Sequence, residues 1–321
     1  NIKSNPPNNP AVKESNQLIS VAYSKFLDMD LPPRENLLDP WLPVGGLCMV
    51  YAKRGVGKTF FALEIMTTIA YGAEFLTFKA LQPAKVLYID GEMPANTMQK
   101  RLATIESRIT ANPKMIEPRI ITPDLQKDCM PNVSTIGGQL LIEAHLTGVE
   151  LVIIDNISTL CAHGKENDAE SWRLLSNWAL QKRIQGKSII FIHHSGKDGS
   201  QRGTSKREDI LDTVISLKHP YDYEPSQGAR FEVHFEKCRH LYGENVKPFI
   251  AQLLSNNDSY QWEISSITQS TRQQIISMSQ NGMNNSEIAR DLGISRQAVH
   301  KQLKKAKEEN LKLIMEDWQK M

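Results

Sequence analysis

Short apolar runs separated by polar, turn-forming stretches recur along most of the chain, alternating first with segments of helical spacing and later with one another. Runs rich in β-branched and aromatic residues predict strands at Leu47–Tyr51, Lys85–Asp90, Arg119–Thr122, Glu150–Asp155, Ser188–His193, Val214–Lys218, Arg230–Glu236, Phe249–Leu254 and Tyr260–Ser265. Alternation of the earlier strands with helices is the pattern of an α/β fold with a mostly parallel sheet covered by helices. The later runs follow one another without long helices, which predicts antiparallel hairpins at one side of the sheet. Residues 41–267 are therefore read as one α/β domain. Before it, residues 1–40 form a lead-in arm: Asn1–Gln17 has little to bury and is expected to be disordered, Leu18–Phe26 has helical spacing, and Leu31–Arg34 is Pro-rich. From Thr268 the strands vanish and the chain turns helical and polar, so residues 268–321 are read as a small all-α module.

Composition narrows this picture. Forty per cent hydrophobic and 23% charged residues are ordinary values for a water-soluble protein, and runs such as Leu151–Ile154 are far too short to cross a bilayer, so no membrane span is expected. Asn1–Gln17 has no apolar signal core, which points away from secretion. The cysteines Cys48, Cys129, Cys161 and Cys238 are widely separated, without the spacing of a zinc site or a disulfide framework, and read as reduced thiols in the cytoplasm. A net charge of +2 does not by itself call for nucleic acid, so that case rests on local basic clusters.

The first chemistry lies just after the first expected strand. Ala52-Lys53-Arg54-Gly55-Val56-Gly57-Lys58-Thr59 has strand before it and an apolar helix, Phe60–Ala70, after it. Glycines let backbone N–H groups curl around phosphates, and the helix N-terminus adds the positive end of its dipole. Lys58 is expected to reach the β and γ phosphates of ATP and the Thr59 hydroxyl to coordinate Mg²⁺. Ala52 stands where the motif has its first glycine. A second Mg²⁺ contact is expected from Asp155, the carboxylate ending the buried run Leu151–Ile154. Glu92, after the strand ending in Asp90, can take the proton of the attacking water, with Asp90 the close competitor. His193 or His194, ending another apolar strand, can sense the γ-phosphate. Joint metal ligation by the two is disfavoured, because neighbouring residues of a strand point to opposite faces.

These stretches together resemble the RecA-like ATPases of the DnaB and KaiC superfamily, and most closely the hexameric replicative helicases of the RepA plasmid type. The likeness runs from about Trp41 to Leu254 and rests on Ala52–Thr59, Tyr88–Glu92, Leu151–Asn156, His193–Lys197 and Arg202–Ser205. It implies a RecA-like sheet, ATP hydrolysis at the subunit interfaces of a homo-oligomeric ring, and movement along single-stranded DNA. By the same comparison, Phe235–Arg239 resembles the superfamily's Lys-x-Arg finger strand, so that Lys237 and Arg239 would enter a neighbour's active site. The Gly/Ser-rich stretch Ser195–Arg207 carries Lys197, Arg202, Lys206 and Arg207, cations suited to gripping a phosphate backbone.

Asn285–Val299 reads as helix, tight turn, helix, with Ile288, Leu292, Ile294 and Val299 sharing a core and Gly293 allowing the turn. Ser286 and Ser295 are the expected N-caps, Arg272–Ser279 a third helix and Leu311–Trp318 an amphipathic continuation. The segment resembles a bacterial helix-turn-helix, and Arg296, Lys301 and Lys304 would meet duplex DNA. The sequence thus leads to an ATP-dependent DNA motor, with a nucleotide-switched DNA-binding regulator or loader as the rival reading. A recombination-type filament former is disfavoured, since the arm offers no subunit-linking strand.

Overall fold

The computed structural model describes residues 18–110, 112–161, 168–195, 208–256 and 259–306. The chain divides between Arg34 and Glu35 into two units. In the first, the helical stretch is Tyr23–Leu27, shorter than the spacing of 18–26 predicts. Leu37 and Leu38, which the sequence reading leaves in the arm, belong to the core of the second unit.

That core surrounds a nine-stranded sheet whose strands, in chain order, are β1 (Leu47–Ala52), β2 (Val86–Asp90), β3 (Arg119–Ile121), β4 (Leu151–Asp155), β5 (Ser188–His194), β6 (Thr213–Lys218), β7 (Arg230–Cys238), β8 (Phe249–Asn256) and β9 (Ser259–Ser266). All nine coincide with the expected runs to within a residue or two. Their order across the sheet is β9-β8-β7-β6-β1-β5-β4-β2-β3. β1 to β6 pair in parallel, while β7, β8 and β9 extend the β6 edge as antiparallel hairpins. This is the RecA-like α/β architecture.

Both faces of the parallel strands other than the edge strand β3 are covered, which is why their sequences are continuous apolar runs rather than alternating ones. Strand alternation sends Val50, Tyr88, Ile153 and Ile192 to one face and Met49, Leu87, Ile154 and Phe191 to the other. On the first face lies the helix Lys58–Tyr71, whose residues 61–70 are all buried. It is pinned by Glu64, a buried carboxylate that pairs with Arg108 and accepts the Trp262 indole N–H at 2.8 Å. The second face receives Trp172, Leu175 and Trp178 of the helix Asp168–Ile184.

After β9 the chain enters the helices Ile267–Gln280 and Asn285–Asp291, followed by a helix over residues 296–306. Ile275, Ile288, Ala289 and Val299 form their small core, with Leu303 packed against it. The cap of the middle helix is Asn284 rather than Ser286: its carboxamide accepts from the N–H groups of Ser286 and Glu287, and Glu287 returns a bond to the Asn284 N–H, a closed capping box. Ser295 caps the last helix as expected, accepting the Ala298 N–H at 3.1 Å. The Tyr221 hydroxyl, from the loop after β6, donates to Asp291 at 2.6 Å and joins this module to the sheet. Among the described residues no helix is long and apolar enough to cross a membrane.

Candidate functional site

The parallel strands end together at one edge of the sheet, where ligands bind in α/β folds. β1 runs out at Ala52, buried between its partners Leu217 and His194, so a methyl group replaces the motif's first glycine without cost to the loop. The backbone then turns through Gly55 (φ 83°) and Gly57 (φ 114°), left-handed conformations that strain a side-chain-bearing residue. At Gly57 space adds to that requirement, because a Cβ would stand 3.3 Å from the Phe231 ring. Val56 is buried and anchors the loop from below, Lys53 and Arg54 are exposed, and Phe60 is half-buried against Trp262.

Beside this loop lies a cleft of about 370 Å³, whose lining includes Arg54, Gly55, Gly57, Lys58, Thr59, Glu92, Asp155 and His194. The Lys58 ammonium donates to the carbonyls of Ala52 and Lys53 at 3.1 and 3.0 Å. Burial pushes its pKa down, opposed by Asp155 and Glu92. Asp155, almost wholly buried, accepts hydrogen bonds from the Tyr88 hydroxyl at 2.6 Å and from the Thr59 hydroxyl. Burial pushes its carboxyl above the usual range, against the pull of those bonds and of Lys58. Thr59 and Asp155 thus bring two hard oxygen donors together, the kind Mg²⁺ takes when phosphates and water complete its shell. Among the described residues no group of three or more His, Cys, Asp and Glu side chains could hold a metal. The donor set fits a cation shared with a phosphate ligand.

The structure separates two pairs that the sequence leaves open. Glu92 faces the cleft with its side chain 52% exposed. Asp90 is buried and turned into the loop, accepting the Met93 N–H at 2.8 Å. His194 lines the cleft, its Nε2 3.9 Å from the Glu92 carboxylate, on the sheet face that carries the phosphate helix. His193 pairs with Tyr51 and points to the other face.

Lys237 and Arg239 lie away from this cleft. Lys237 is level with Val214 and, through it, with Met49, whereas Ala52 is level with Val233. Lys237 is therefore offset by roughly 10 Å along the strand direction from the level of Ala52, away from the strand ends that carry the loop, and Arg239 follows the end of β7 on that side. There Lys237 donates to the Glu208 carbonyl and Arg239 to that of Asp209 at 2.5 Å. Lys197, Arg202, Lys206 and Arg207 fall outside the described residues. In the C-terminal module Arg296, Lys301 and Lys304 are exposed on the last helix.

Sequence reasoning misses Asn156, Thr97 and Arg101, all of which line the cleft. Thr97 and Arg101 share one face of the helix Ala95–Glu106 by their i, i+4 spacing, the one signal the sequence offers for them.

Residues 13–200, more than half of the chain, match the AAA domain family. The chain belongs to that family. In this AAA domain the match covers the phosphate loop, Glu92, Asp155 and His194, and it stops before β6. Residues 266–312 match a homeodomain-like domain, so a P-loop ATPase is followed by a C-terminal helix-turn-helix. Among solved structures, the fold is similar to flagellar accessory protein FlaH from Methanocaldococcus jannaschii: 10% identity, 70% of this chain and 91% of that one, TM-score 0.45. It is also similar to a KaiC-like protein from Pyrococcus horikoshii: 15% identity, 72% and 99% coverage, TM-score 0.48.

Proposed function

We propose that this chain is an ATP-driven motor on DNA, a hexameric replicative helicase of plasmid or phage type working in the cytoplasm. The observation that carries the proposal is the convergence of Lys58, Thr59, Asp155, Glu92 and His194 on one cleft, with Lys237 and Arg239 outside its lining. In this reading Glu92 takes the proton of the attacking water while the Lys58 ammonium neutralises charge on the transferring phosphoryl group. Mg²⁺ held by Thr59 and Asp155 would neutralise charge on the β and γ oxygens when bound. His194, next to Glu92 and followed by Ser195 and the basic stretch 197–207, relays the state of the γ-phosphate to a DNA-gripping segment. Completion of the cleft falls to Lys237 and Arg239 of another copy, which requires head-to-tail association, the type that closes rings.

A forked DNA substrate with a labelled strand tests the proposal. Strand displacement that needs ATP and is lost in Lys58→Ala supports a helicase, and Lys58→Ala should also abolish steady-state hydrolysis. ATP hydrolysis without any displacement overturns the helicase. The second reading, a nucleotide-switched DNA-binding regulator or loader, is favoured by the Tyr221–Asp291 bond between sheet and helix-turn-helix. It predicts duplex affinity that changes with bound nucleotide on a fork that stays closed.

A further inference from the structure

Asn156 follows the last residue of β4 and is almost fully buried, yet nothing in the P-loop chemistry above uses it. Its carboxamide oxygen accepts the Thr159 N–H at 3.2 Å, capping the short helix Ile157–Leu160. That bond fixes which end of the amide faces the cleft. The NH₂ end donates to the Glu92 carboxylate at 2.9 Å. A carboxylate only accepts and the Thr159 N–H only donates, so the amide cannot be turned over without losing both bonds.

The loop that carries Glu92 is docked on the same turn by its main chain. The Gly91 N–H donates to the Asp155 carbonyl at 2.7 Å. A Cβ at Gly91 would stand 2.3 Å from the Thr159 hydroxyl and 2.9 Å from Leu160 Cγ, so only glycine permits this approach. Glu92 itself is half exposed, and its side chain has several rotatable bonds to order. From this geometry we infer that Asn156 is a positioning residue: it fixes the Glu92 carboxylate in the cleft through one directed hydrogen bond.

The inference rests on Glu92 being the base, and the test keeps the two apart. ATP turnover is measured on the full-length protein as Asn156→Ala, Asn156→Asp, Glu92→Gln and the Asn156→Ala/Glu92→Gln double variant, each with a thermal melt. Asn156→Ala should lower kcat roughly tenfold with KM for ATP changed less than about twofold, since misplacing a reacting group costs rate rather than binding. Asn156→Asp keeps an oxygen to cap Thr159 but loses the donor. It also sets a second buried carboxylate against Glu92, so it should melt below the parent and be at least as slow as Asn156→Ala. The double variant should be no slower than Glu92→Gln alone, the sign of two residues acting as one unit.

A fast Asn156→Asp would reduce Asn156 to a helix cap and overturn the inference. So would effects of Asn156→Ala and Glu92→Gln that multiply in the double variant. A Glu92→Gln variant at full rate would instead remove the base assignment itself, and the inference with it.

Discussion

Tyr88 donates its hydroxyl to Asp155 at 2.6 Å from the neighbouring strand, inside the core and two residues short of the level of Asp155. Burial, then the Asp155 charge, pushes the phenol pKa well up, so it acts as a fixed donor. Tyr88→Phe leaves a buried carboxylate oxygen with one donor fewer. We expect a loss of about 1–3 kcal/mol of stability, read from urea melts, with a higher Mg²⁺ requirement for hydrolysis. An unchanged urea midpoint would show that the bond contributes nothing to the fold.

Asp90 gives the site a pH signature. Burial outweighs the Met93 N–H bond and pushes its carboxyl up to about 7 from an ordinary 3.8. Between those values the folded chain holds a proton that the unfolded chain has released. Stability must therefore fall as pH rises from about 4 to about 7, by a ceiling on the order of a few kcal/mol. Asp90→Asn removes this dependence and can keep the Met93 N–H bond. At pH 8 the variant should be more stable than the parent, and the gap should shrink at pH 5. Its ATP turnover should stay near the parental rate, whereas Glu92→Gln should be slower by roughly 10²-fold or more. Equal loss in both variants would return Asp90 to the chemistry.

That division between Asp90 and Glu92 marks how far the sequence is legible. Strands β1, β2, β4, β5 and β6 can be read in advance because burial on both faces leaves an unmistakable apolar stretch, whereas β3 and the hairpin strands β7 to β9, partly exposed, are read from their β-branched and aromatic residues. The phosphate loop is legible because its glycines, lysine and threonine are required at fixed spacing. What periodicity does not state is which face of a strand meets the phosphate helix. His193 and His194 alternate faces in any strand, but only the packed sheet shows that His194 shares a face with Lys58. Asn156 is hidden for a different reason. Its role comes from the partner it meets across two strands, and Glu92 lies 64 residues away in sequence.

Arg239 tests whether the cleft is shared between copies. Arg239→Ala should bind ATP nearly normally and hydrolyse it poorly, since a finger charge acts mainly in the transition state. Mixed with Lys58→Ala subunits, it should recover part of the activity that neither variant has alone, because some intact clefts then face intact fingers. Verified mixed oligomers that stay inactive would count against a shared site.

Lys301 and Lys304 bear on the helix-turn-helix. Replacing both with alanine should weaken duplex binding about equally across sequences and reduce the slope of log affinity against log salt by roughly two, as two phosphate contacts are lost. ATP turnover in the absence of DNA should not change. An unaltered salt slope would turn this helix toward protein rather than nucleic acid.

Trp262 carries a consequence of another kind. Its ring lies 6.0 Å from that of Phe60, next in sequence to Thr59, and its indole N–H rests on Glu64 of the same phosphate helix. The chain thus holds a native fluorophore against the element that a nucleotide must grip. Titrating ADP with Mg²⁺ should change the indole emission in a saturable way, and Trp262→Phe should remove most of that signal, so occupancy of the cleft can be followed in real time without a label.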